Sequence, residues 1–111
     1  MKLSEIKAYV HRNRIADVVD ALSSAGFRNL SVIDVRGLLH ALDSKEQDYS
    51  VEIGRKVITQ VKLELVCDSD TDTAKAVALI REHAVTGRPD AGWIYISDIQ
   101  SGIAIPEVIA K

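Results

Sequence analysis

The stretch Thr86-Gly87-Arg88-Pro89-Asp90-Ala91-Gly92-Trp93 carries the chain's best combination of residue types for chemistry. Gly87 and Gly92 permit backbone conformations and close approaches that a side chain would block. Between them stand one cation, Arg88, and one anion, Asp90. A loop of exposed amides with a cation is suited to holding a phosphate or a carboxylate. The plain alternative is a helix that stops at a glycine and turns.

Other reactive side chains give less. Ser, His and carboxylates are present, but no spacing marks a catalytic triad, a nucleophile elbow or a metal site. His11, His40 and His83 are far apart, each beside charged or loop residues, and read as solvated. Asp68, Asp70 and Asp72 alternate like calcium ligands but lack the later Gly and terminal Glu of such a loop, so they read as helix-capping residues. Cys67 is the only cysteine, which excludes an intrachain disulfide and makes a buried small hydrophobe the reading.

The elements that must position the 86–93 loop follow from periodicity. Residues 3–10, with Ile6, Ala8 and Val10, read as a first strand. Ile15, Val18, Val19, Leu22 and Ala25 lie on one face of a helix, with Asn13 as N-cap and Gly26 as stop. Residues 30–35 read as a second strand. The 56–67 stretch is the clearest strand, with Val57, Thr59, Val61, Leu63, Leu65 and Cys67 on one face. Asp68-Ser69-Asp70 then starts a helix whose face is Thr73, Val77, Ile80 and Ala84. A strand over 93–96 follows the loop, and 102–106 is expected to form a short edge strand ended by Pro106.

This order is β-α-β, a polar excursion over 38–55, and β-α-β again. It predicts an α+β, ferredoxin-like double βαβ with an antiparallel sheet and both helices on one face. The other sheet face is left partly apolar, which predicts a homo-oligomer. At 111 residues and 47% apolar the chain fits one domain with a packed core, and its formal net charge of −2 with scattered basic residues argues against nucleic-acid binding. No apolar run approaches the length of a membrane span, so a cytoplasmic protein with no direct membrane insertion is expected.

Over nearly its full length the chain resembles the PII (nitrogen regulatory protein P-II) signal-transduction proteins. The likeness rests on Ala21-Leu22 with Gly26, on Ser31-Val32-Ile33-Asp34-Val35-Arg36-Gly37, on Val61-Lys62-Leu63-Glu64-Leu65-Val66 and on Thr86-Gly87-Arg88. It implies a single domain over 1–111 and a homotrimer. Residues 38–55 would be the T-loop, which docks onto a membrane transporter or metabolic enzyme. Residues 86–93 would be the B-loop, which grips nucleotide phosphate in a cleft between subunits. Ser31, Gly37, Leu38, Lys62 and Glu64 would lie near the adenine and ribose, and Asp48-Tyr49-Ser50-Val51-Glu52 is similar, in a gapped register, to the T-loop stretch whose tyrosine some members modify.

The departures from that pattern are specific. Where the family has Gly-Asp-Gly-Lys, this chain has Asp90-Ala91-Gly92-Trp93, so Trp93 replaces the phosphate-binding lysine. Two arginines usual after the last strand fall on Ala104 and Pro106. Losing three cations removes most of the charge that would hold a triphosphate. The expectation is a regulator, not an enzyme, with no tightly bound cofactor. It senses ADP or AMP in preference to ATP, or another small anion such as bicarbonate, with Arg88 as the principal cation. Two alternatives stand beside it: a trimeric interaction protein that has lost nucleotide binding, and a CutA-like metal-tolerance protein.

Overall fold

A computed structural model describes residues 2–34, 60–89 and 91–106. The elements are β1 (Leu3–His11), α1 (Ile15–Ser24), β2 (Leu30–Ile33), β3 (Gln60–Cys67), α2 (Asp70–His83) and β4 (Gly92–Ile99). Every strand pairing is antiparallel, and the sheet order is β2-β3-β1-β4. That is the ferredoxin-like order with the first strand in the interior.

Alternation decides which face each strand buries. Ile6, Ala8 and Val10 of β1 and Val61, Leu63, Leu65 and Cys67 of β3 are all at most 3% exposed. Val18 and Leu22 of α1 and Ala76 and Ile80 of α2 close over them. Each fully buried Leu or Ile here contributes about 1.5–3 kcal/mol relative to staying in water.

The helix ends are locally encoded. Gly26 takes φ +98°, its N–H donates to the Ser23 carbonyl, and Phe27 N–H reaches back to the Leu22 carbonyl. That pair of bonds is a Schellman stop, and Phe27 packs on the core beside it. At the start of α2, Ser69 Oγ accepts from the Asp72 N–H at 3.1 Å, with Asp70 and Asp72 in the first turn complementing the dipole.

Three expectations need correction. Asn13 does not cap α1: it lies inside the turn, its N–H donating to His11 Nδ1, and Arg14 is the N-cap without a side-chain bond. Ala76, absent from the expected face of α2, is fully buried. Residues 102–106 form no strand, because neither sheet edge pairs with them, and Ile103 and Ile105 are almost wholly exposed. β4 instead runs on to Ile99. The expected T-loop at 38–55 and the strand residues 56–59 lie outside the described residues.

Candidate functional site

The 86–93 loop leaves α2 and enters β4. Thr86 Oγ1 accepts from the Arg88 N–H at 3.4 Å, a local turn, and Gly87 takes φ +82°. Arg88 and Pro89 are exposed and Ala91 is half-buried. Gly92 takes φ +149° and packs directly on the backbone of Tyr9, so any side chain at this position would collide with it. The loop therefore presents the exposed Arg88 to solvent, with its N–H turned back onto Thr86.

Trp93 opens β4 on the face away from the helices and is 70% exposed. Its ring stacks on Tyr95 at 6.4 Å between centroids, and Tyr9 meets Tyr95 edge-on at 6.0 Å. Tyr9 and Tyr95 extend this aromatic group although no sequence motif marks them. The alternation of β1 and β4, once their register is known, puts all three rings on one face.

Ser31, Lys62 and Glu64 sit together at the other side of the sheet. Ser31 is the register partner of Glu64, and Lys62 Nζ lies 3.0 Å from Glu64 Oε1. The hydrogen bond from Lys62 to Glu64 raises the lysine pKa, against a smaller opposing effect of burial. Gly37, Leu38, Tyr49 and Asp90 lie outside the described residues.

The expected site residues thus divide into two groups. One group, on β2 and β3, is polar. The other, the loop and Trp93, adjoins β4. Sheet order sets β2 and β4 at opposite edges, three strand spacings or roughly 14 Å apart. Only Ser31 stands at the far edge: Lys62, on β3, is two strand spacings or roughly 10 Å from Trp93, and Tyr9 between them is the register partner of both. A separate cleft of about 420 Å³, lined in part by Phe27, Leu30, Val66 and Asp72, contains none of these residues. Among the described residues no group of three or more His, Cys, Asp or Glu could hold a metal ion, and no helix is long and apolar enough to cross a membrane.

Two arginines in the turn after β1 carry interactions that composition alone did not mark. Arg12 grips Asp34 with both terminal nitrogens, at 2.6 and 3.0 Å. Arg14 Nε donates to the His83 carbonyl at the end of α2, at 3.1 Å. The signal in the sequence was a four-residue turn, His11-Arg12-Asn13-Arg14, with two long cations in it.

A double βαβ of this kind is also the fold of a solved PII protein. The fold is similar to that of Arabidopsis thaliana PII bound to citrate, with a TM-score of 0.61 and 27% identity, covering 86% of this chain and 75% of that one. The family model for nitrogen regulatory protein P-II matches residues 3–106, and the chain belongs to that family. Nitrogen regulatory protein P-II 1 of Methanothermobacter thermautotrophicus is 31% identical over 97 residues, which are 87% of this chain and 84% of that protein. Nitrogen regulatory protein GlnK of Escherichia coli is 27% identical over 92 residues, 83% of this chain and 81% of that protein. The chain is accordingly a regulatory signalling protein. Members of the family are trimeric regulators, not catalysts, and act on partner proteins.

Proposed function

We propose that this chain is a trimeric, cytoplasmic sensor of a small adenine nucleotide, ADP or AMP in preference to ATP. It is not an enzyme. It passes its ligand state to a membrane transporter or metabolic enzyme through residues 38–55. The observation that carries the reading is the spread of the site across the sheet: Ser31 on the edge strand β2, Lys62 and Glu64 on the adjoining β3, and Trp93 with the Arg88 loop at the opposite edge. A head-to-tail contact joining these two unlike regions of neighbouring chains closes into a ring when its rotation allows. Each ring interface would then complete one cleft.

Charge sets the size of the ligand. Arg88 remains where the family has a basic residue, while Trp93, Ala104 and Pro106 stand in place of three cations. One guanidinium with loop amides suits a mono- or diphosphate, bicarbonate or a carboxylate better than a triphosphate. A similar protein has been seen with citrate, so citrate belongs among the probes.

A thermal-shift or calorimetric screen of ATP, ADP, AMP, cyclic nucleotides, bicarbonate and citrate tests this on protein of known oligomeric state. Ligand at a hundredfold excess over Kd should stabilise by about 2.7 kcal/mol. Arg88→Ala should weaken that response. No stabilisation by any of them would remove the sensor reading and leave an interaction protein that has lost its ligand. A monomer in light scattering would remove both.

A further inference from the structure

The turn His11–Arg14 touches both regions that the proposed function depends on, and it does so through two different arginines. Arg12 makes a two-pronged bond to Asp34, the residue after β2 and directly before the 35–59 segment. Arg14 donates to the carbonyl of His83, the last residue of α2, three positions before the 86–93 loop begins. Each contact is of a geometrically demanding kind. The first is a fork facing a carboxylate, which fixes orientation as well as distance. The second places a cation at a helix C-terminus, where carbonyls lack partners and the dipole is negative.

The turn joining these contacts is itself hydrogen-bonded. Arg14 N–H donates to the His11 carbonyl at 2.8 Å, and Asn13 N–H donates to His11 Nδ1 at 3.2 Å. Arg14 also starts α1, its carbonyl accepting from Val18 N–H, and pairs with Asp17 at 3.1 Å. These bonds tie the residues on either side of Arg12 together and to the start of α1. β2 and α2 are not covalent neighbours, and the sheet's interior strands lie between the β2 and β4 edges.

We propose that Arg12 and Arg14 form a mechanical bracket that couples the exit of β2 at Asp34 to the entry of the 86–93 loop at His83. They are positioning residues: neither is assigned to the ligand. The functional meaning of the bracket rests on the reading above, in which one end leads to the partner-docking segment and the other to the ligand loop. The coupling itself does not need a ligand.

Hydrogen–deuterium exchange on the intact, ligand-free chain tests it. Arg12→Gln should raise exchange at 30–34 and also at 84–88. Arg14→Gln should raise it at 84–88 and also at 30–34. Coupling is reciprocal, and a change of roughly fivefold at the remote segment is the low end of what coupled sites show. The amides of Ala8 and Leu63 report on global stability. If they exchange faster too, the charge swap Arg12→Asp with Asp34→Arg decides: protection regained at 84–88 supports the bracket, and protection not regained overturns it. Effects confined to 30–34 for Arg12→Gln and to 84–88 for Arg14→Gln would also overturn it. Because no ligand is present, failure of the nucleotide reading leaves this result unchanged.

Discussion

Gly92 lies against Tyr9 so closely that a side-chain carbon at position 92 would overlap the Tyr9 carbonyl oxygen. The contact locks the start of β4 onto β1 and so fixes where the 86–93 loop ends. Gly92→Ala adds both this collision and the strain of φ +149°, and should cost about 2–5 kcal/mol. Gly87→Ala, where φ is +82° but the space is open, should cost only about 1–2 kcal/mol. Thermal unfolding of the two variants side by side checks the order. Equal losses would mean that the Tyr9 contact has no special weight.

Leu63 is fully buried at the centre of the sheet, beneath both helices. Leu63→Ala should destabilise by about 2–5 kcal/mol, lowering Tm by on the order of 10–20 °C. Val66→Ala, on the same strand but half exposed on the opposite face, should cost well under half as much. Tm values at one protein concentration test the contrast, since association shifts them.

Cys67 is 2% exposed, and burial is the main cause pushing its thiol pKa above the ordinary value, partly offset by a hydrogen bond with Thr73. The buried thiol should resist alkylation at pH 8, reacting only as fast as the chain opens. With the folded pKa raised, the unfolded state ionises first. The associated stability is intact below about pH 8.5 and is lost as pH rises through the higher folded value. Cys67→Ala should remove that part of the alkaline loss. Rapid labelling of the native protein would show that the thiol is accessible.

Trp93 is the only tryptophan and is 70% exposed in the single chain. If subunits cover the aromatic face in a ring, concentrated protein should emit at the shorter wavelengths of a shielded indole. Dilution below the association range should shift the emission to longer wavelength. A spectrum that is solvent-like at every concentration would place Trp93 outside the contact.

Strict alternation from Val61 to Cys67 made β3 legible down to its buried face, and Ser69 and Gly26 marked helix ends through their own bonds. Other features depended on partners that periodicity does not name. Asn13 resembled a cap but was drawn into the His11 turn, and 102–106 had strand-forming residues yet pairs with neither sheet edge. The reach of Arg12 across to Asp34 joins residues 22 apart in sequence, and that of Arg14 to His83 joins residues 69 apart. Such contacts emerge only when the sheet order is known. The same is true of the spread of the expected site across the sheet.

The interior place of β1 has a consequence for how the molecule is made. Leu3–His11 pairs on one side with Gln60–Cys67 and on the other with Gly92–Ile99, leaving Leu3 opposite Ile99. During synthesis, then, Leu3–His11 precedes both of its partners and has no strand to pair with until Gln60–Cys67 follows. Its Ile6, Ala8 and Val10 must wait exposed or be sheltered by α1 alone. Closure of such distant pairs is slow, so folding should be governed by the arrival of β3 and β4, not by the early helix.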